Sequence, residues 1–147
     1  MPARKRSRNN VASSSVSGRL AYLDTSALVK LVIAEPESDP LRRALLSWKR
    51  RVSSEVAVVE LLRTTRRYTP QLEPLALGVL AGIALHRLDR GTLLLAARLD
   101  PPELRSLDAI HLASALELGP YVKVFFSYDQ RLQEAARQAG LTIQAPH

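Results

Sequence analysis

The stretch Arg19-Leu-Ala-Tyr-Leu-Asp24 runs straight into Thr25-Ser-Ala-Leu-Val-Lys-Leu-Val-Ile33, and its reading decides the fold. Residues 19–24 form a short apolar run with a carboxylate at its far end, which reads as a strand. Residues 25–33 open on a hydroxyl and carry apolar side chains at helical spacing, which reads as a capped helix. A strand that passes directly into a helix is the first half of a β–α unit.

The alternation continues downstream. A loop over Glu35–Pro40 precedes an amphipathic helix at 41–49, and 51–54 reads as a brief strand. A longer helix is expected over 54–68 with Ser54 as its cap, ended by Pro70, which lacks a backbone donor. The apolar segment 71–85 holds Pro74, Gly78 and Gly82 and reads as an interrupted helix; 86–89 is the expected third strand and 92–99 the next helix. After Asp100-Pro101-Pro102 come a helix at 107–118, a strand at 121–127, a helix at 129–139 stopped by Gly140, and a strand at 141–144. This order predicts a three-layer α/β/α sandwich with a mostly parallel central sheet. Such folds carry their sites at the carboxyl ends of the strands.

Composition narrows the function classes. The 147 residues are 46% hydrophobic and lack cysteine, so disulfides, thiolate metal sites and cysteine nucleophiles are excluded. The net charge of +7 is uneven: residues 1–19 hold five bases and no acid, and the remainder is nearly balanced. Residues 1–18 are therefore expected to be a flexible basic extension and 19–147 a single domain. The extension is either an arm that attracts nucleic acid or a segment without a role. It lacks the apolar run of a signal peptide, and charges interrupt every apolar stretch before membrane-spanning length, so a cytoplasmic location is expected.

Four acids stand in places that folding alone does not favour. Asp24 and Asp129 each end a strand, so both should emerge at the same edge of a parallel sheet. Glu60 is the only charge in Val56–Leu62, and Asp108 opens the apolar run Leu107–Ala113. Asp24, Asp108 and Asp129 could each cap a helix, a role worth about 0.5–2 kcal/mol, and Glu60 could pair with Arg63 or Thr64 one turn on. Taken together, the four suggest a metal site, because clustered carboxylates repel one another unless a cation neutralises them. Oxygen ligands without cysteine favour Mg²⁺ or Mn²⁺ over Zn²⁺. Mg²⁺ binds through one or two carboxylates plus substrate phosphate, which points to phosphodiester chemistry.

The motifs carrying these acids resemble a known family. YLDTSALVKL at 22–31, SSEVAVVELLR at 53–63, RSLDAIHLASAL at 105–116 and FFSYDQRL at 125–132, followed by the AGL of 139–141, resemble PIN-domain ribonucleases, in particular the VapC-type toxins of type II toxin–antitoxin pairs. The resemblance spans about Leu20 to Ile143. It implies a PIN-like sandwich, an Mg²⁺ site able to take Mn²⁺, and endoribonuclease activity through metal-activated water that inhibits translation. Carried over by position, it implies Asp24, Glu60, Asp108 and Asp129 as catalytic metal ligands, with Asp24 and Asp108 the most central. It also implies transfer RNA or ribosomal RNA as substrate, a small antitoxin as partner, and a homodimer or toxin–antitoxin hetero-oligomer.

Several further residues have two readings. Thr25, Ser26 and Ser127 sit beside the acids and either orient ligands or cap helices. Arg63, Arg66 and Arg67 form a basic turn after Glu60 that is either a solvated face or a set of RNA-backbone contacts. His111, three residues after Asp108, is either a general base or a packed helix histidine; the packed reading is preferred, because metal-activated water needs no histidine base. Trp48 and Tyr68 are expected at a helix interface or a partner contact. Two other function classes compete with the nuclease. A phosphatase of the haloacid dehalogenase type would want a second Asp two residues after Asp24, where Ser26 stands. A non-catalytic nucleic-acid-binding module would leave the four acids as caps.

Overall fold

The computed structural model describes residues 18–147, so the basic extension expected over 1–18, Gly18 apart, lies outside the described residues. The elements in chain order are β1 (Leu20–Leu23), α1 (Thr25–Lys30), α2 (Ser38–Leu45), β2 (Arg50–Ser54), α3 (Val56–Tyr68) and α4 (Glu73–Ala81). They continue with β3 (Ala84–His86), α5 (Arg90–Ala97), α6 (Ser106–Leu118), β4 (Val122–Phe126), α7 (Gln130–Gln138) and β5 (Ile143–Gln144). The five strands form one sheet in the order β3-β2-β1-β4-β5, and every pairing is parallel.

β1 lies at the centre and is buried along its whole length. Successive strand side chains point to opposite faces, so Leu-Ala-Tyr-Leu divides the core in two. Ala21 and Leu23 join Val124 and Phe126 beneath α1–α4, with Leu28, Leu41, Leu45 and Leu61 supplying the helical side. Leu20 and Tyr22 join Val52, Val122 and Phe125 against Leu112, Ala115, Leu132 and Ala135 of α6 and α7. Tyr22 stacks on Phe125 with ring centroids 4.9 Å apart. The three expected layers are present. α5 sits outside α6, where Ala96 packs against Ala109 and Ala113.

Most element boundaries differ from the sequence reading by a few residues, and three of the differences have a local cause. The third strand is 84–86 rather than 86–89, because Asp89 accepts the Thr92 N–H at 2.8 Å and caps α5 instead of extending the sheet. α2 begins at Ser38, since Pro40 fits the first helical turn, where its missing N–H costs nothing. α3 begins at Val56, and Ser54 stays in β2 while its hydroxyl accepts the Val56 N–H at 3.3 Å.

The chain order reverses at β1. β2 leads away on one side of it and β4 on the other, which makes β1/β4 the topological switch point. In open parallel sheets the crevice beyond the carboxyl ends of such strands is where ligands bind. Asp24 follows β1 there, and Ser127 and Asp129 follow β4. No described helix is long and apolar enough to cross a membrane.

Candidate active site

At the end of β1, Asp24 is buried and divides its carboxylate between two tasks. Oδ1 caps α1, accepting the Ala27 N–H at 2.9 Å and the Ser26 hydroxyl at 2.6 Å. Oδ2 accepts the Ser127 hydroxyl at 2.5 Å across the switch point. Burial raises the Asp24 carboxyl above its ordinary range, against the opposing pull of His111, the two serine hydroxyls and the Ala27 N–H. Ser26 also accepts the Tyr128 N–H at 2.8 Å, and Ser127 accepts the Asp129 N–H at 3.2 Å, so the two strand ends are tied together.

Asp129 repeats the arrangement at the end of β4. Its Oδ1 accepts the Leu132 N–H at 3.0 Å and caps α7, while Oδ2 faces Arg105 at 3.4 Å. Asp108 lies in the first turn of α6 but is not its cap, a position held by Arg105. The guanidinium of Arg105 also stands 3.6 Å from Asp108 Oδ2. Burial lifts the Asp108 carboxyl from 3.8 to about 6, and the charges of Asp129 and Asp24 add to it while Arg105 opposes. Arg105 thus stands between Asp108 and Asp129, with Asp24 close enough for its charge to act on Asp108.

Glu60 reaches the same region from α3. Its Oε1 accepts the Thr25 hydroxyl at 2.8 Å and lies 2.8 Å from His111 Nε2; Arg63 and Thr64 play no part in holding it. His111 is 1% exposed and hydrogen-bonded on both ring nitrogens, with Nδ1 2.8 Å from the Tyr22 hydroxyl. Burial, together with the charge of Asp24, holds the Tyr22 phenol protonated well above its ordinary range. The Tyr22 hydroxyl and Nδ1 share this hydrogen bond, and Nε2 lies beside Glu60 and, at 3.0 Å, Thr25 Oγ1. Burial pushes the Glu60 carboxyl up, but the hydrogen bonds from His111 and Thr25 outweigh it and leave it below the usual range. Of its two sequence readings, His111 fits the packed, hydrogen-bonding one.

The four acids and Thr25, Ser26 and Ser127 therefore converge at the carboxyl ends of β1 and β4. Arg63, Arg66 and Arg67 are exposed on α3. Arg63 and Arg67 line a depression of about 210 Å³ with Val59, Glu60, Thr64 and Leu107, so they border the acids. Trp48 is half-buried against the core with the Arg19 guanidinium 4.9 Å from its ring centre, whereas Tyr68 is 66% exposed. Two larger clefts, of about 390 Å³ beside α5 and about 550 Å³ beside α7, do not touch the four acids. Sequence reading missed Arg105 and the Tyr22–His111–Glu60 chain. The only signal for Arg105 was its place three residues before Asp108, a helical pairing distance.

The donors fit one class of metal better than others. Among the described residues, no three Asp, Glu, His or Cys side chains come together as a ready-made cage for a metal ion of any kind. Mg²⁺ and Mn²⁺ suit oxygen donors, and Mg²⁺ needs only one or two carboxylates, with water and phosphate completing its shell. The acids here offer oxygen donors only, and Asp108 and Asp129 each keep an oxygen held by nothing firmer than the exposed Arg105, which suits that requirement.

An open parallel sheet with acids gathered at its switch point defines a class of α/β protein built for charged ligands. Comparison with known proteins narrows the class. The PIN domain family matches residues 21–138, and the chain belongs to that family. Its relatives in Mycobacterium tuberculosis include Ribonuclease VapC46, 44% identical over 125 residues, covering 85% of this chain and 96% of that protein. Ribonuclease VapC35 is 40% identical over 134 residues, covering 86% and 97%. The crystal structure of M. tuberculosis VapC20, described as a sarcin–ricin loop cleaving toxin, superposes with a TM-score of 0.69. At 16% identity over 86% of this chain and 99% of that one, it bears on the fold alone.

Proposed function

We propose that this chain is a Mg²⁺-dependent endoribonuclease, able to use Mn²⁺, and the toxin of a type II toxin–antitoxin pair acting in the cytoplasm. The observation that carries the reading is the convergence of Asp24, Glu60, Asp108 and Asp129 at the β1/β4 switch point of a PIN-domain fold. The names of the VapC relatives support RNA as the substrate and an antitoxin as the partner.

Asp24 and Asp108 would be the central metal ligands, with Asp129 and Glu60 completing the acidic rim. The ion, when bound, supplies a water activated for attack on phosphorus and charge to stabilise the leaving oxygen. Ser26 and Ser127 hold the Asp24 carboxylate in a fixed plane, and Thr25 with His111 does the same for Glu60. Fixed carboxylates cost no reorganisation when the substrate arrives. Arg63, Arg66 and Arg67 lie one to two turns beyond Glu60 and suit contacts to the RNA backbone, with no base recognition implied. Exposed Val59 and Leu107 beside Glu60 offer an apolar rim for an antitoxin helix covering the acids, and the toxin is taken to be a homodimer within that assembly. Cleavage of transfer or ribosomal RNA would halt translation.

The test is direct. Purified protein with Mg²⁺ or Mn²⁺ should cleave RNA, chelation should stop it, and Asp24→Asn should abolish cleavage while the protein stays folded. An Asp24→Asn protein that cuts as fast as its parent overturns the assignment.

A further inference from the structure

We propose that Arg105 is a built-in counter-ion that competes with the divalent ion for Asp108 and Asp129. The inference rests on the metal-site reading above and adds to it a residue that sets how tightly the ion is held.

The acids are neutralised in two different ways. Asp24 and Glu60 are held by fixed neutral donors: Ser26, Ser127 and the Ala27 N–H for the first, Thr25 and His111 for the second. Asp108 has no such support; among the described residues its one ion-pair partner is Arg105, at 3.6 Å. Asp129 spends Oδ1 on the α7 cap and turns Oδ2 to the same guanidinium at 3.4 Å. One positive charge thus spans the two carboxylates with the weakest local support.

The contact is built to be given up. Both distances lie at the long end of ion-pair geometry, and the Arg105 side chain is 69% exposed. Its backbone is anchored, since its carbonyl accepts the Ala109 N–H at 2.8 Å as α6 begins. The guanidinium can therefore leave by side-chain rotation alone, without disturbing the helix that carries Asp108. A divalent ion and a guanidinium cannot share the same two oxygens at a few Å without strong repulsion. Arg105 must turn outward as the ion enters, and its departure weakens ion binding relative to a site without it.

Calorimetric titration of the full chain with Mn²⁺ alone, at neutral pH and about 50 mM salt, tests this. Arg105→Gln should bind Mn²⁺ roughly three- to tenfold more tightly than the parent, the size of a partly screened charge repulsion at this range. Arg105→Lys, which keeps the charge, should stay near the parent, and the gain in Arg105→Gln should shrink at about 0.5 M salt, where exposed charges are screened. Because Arg105 is largely exposed, both variants should show the parental circular dichroism. Equal or weaker Mn²⁺ binding by Arg105→Gln overturns the competition while leaving the metal site intact. A parent that shows no Mn²⁺ site sensitive to Asp108→Asn overturns the metal reading, and this inference with it.

Discussion

Replacing Asp108 by Asn should stabilise the metal-free protein at neutral pH. The carboxyl is lifted from 3.8 to about 6 by burial and by the Asp129 and Asp24 charges. Ionising it in the folded state therefore costs up to about 3 kcal/mol relative to the unfolded chain. The side chain is 19% exposed and keeps its Arg105 partner, so solvent screening leaves about 1–3 kcal/mol as the expected gain for the neutral amide. The pH dependence follows from the sign. Between pH 4 and 6 the folded state binds more protons than the unfolded one, so this group lowers stability as pH rises through that window. The Asn variant has no such dependence at this position. Urea unfolding with a chelator present should show the two proteins alike near pH 4, and the variant ahead at pH 7 by a midpoint of roughly 1 M. Mg²⁺ at 100 times its Kd should cancel or reverse the difference, because it adds about 2.7 kcal/mol to the protein that binds it. A variant no more stable than its parent at pH 7, or ahead by the same margin at pH 4, refutes the claim that crowded negative charge is what burdens this site.

Tyr22→Phe should cost about 1–3 kcal/mol by urea unfolding, since it leaves the buried Nδ1 of His111 without its hydrogen-bond partner. The same change should loosen the hydrogen bond between His111 and Glu60, which the NMR chemical shifts of the imidazole nitrogens would register. In an Asp24→Asn background that prevents cleavage, Arg63→Ala and Arg67→Ala should each weaken RNA binding alike across sequences. Each should lower the slope of log affinity against log salt by about 0.7 for every phosphate it no longer neutralises. Unchanged slopes would return these arginines to the role of a solvated helix face.

The sheet was legible because its strands announce themselves. Leu-Ala-Tyr-Leu and Val-Lys-Val-Phe-Phe are mostly apolar runs too short for helices, and each is followed within three residues by a cap residue and a helical pattern. β3 was not legible, because three residues at a sheet edge carry no period, and Asp89 looks the same on paper whether it ends a strand or caps a helix. Glu60 and Asp108 stood out as charges in apolar surroundings, a signal that burial makes meaningful. Arg105 carried only its helical distance from Asp108, which any exposed arginine at the start of a helix shares with some neighbour. The Tyr22–His111–Glu60 chain joins three elements that only folding brings together, and no local pattern encodes a contact across 89 residues.

Asp24 and Asp129 also show why a cap and a metal ligand are not competing descriptions. In each, Oδ1 satisfies a helix N–H and Oδ2 is left for a partner beyond the helix, Ser127 for Asp24 and Arg105 for Asp129. The helix start fixes the side chain's rotamer and thereby aims the second oxygen, so the cap is the device that presents the ligand. The two jobs can be separated at Asp129. A serine there keeps an oxygen for the Leu132 N–H, and serine caps helices about as well as aspartate does. Asp129→Ser should therefore leave stability within about 0.5 kcal/mol of the parent, yet lose Mn²⁺ affinity, because only the second oxygen and its charge are gone. It should also lower the Asp108 carboxyl from its value of about 6, since the Asp129 charge is the second cause, after burial, of that elevation. If Asp129→Ser binds Mn²⁺ as tightly as the parent, Asp129 is a cap alone, and the ion is held without the end of β4.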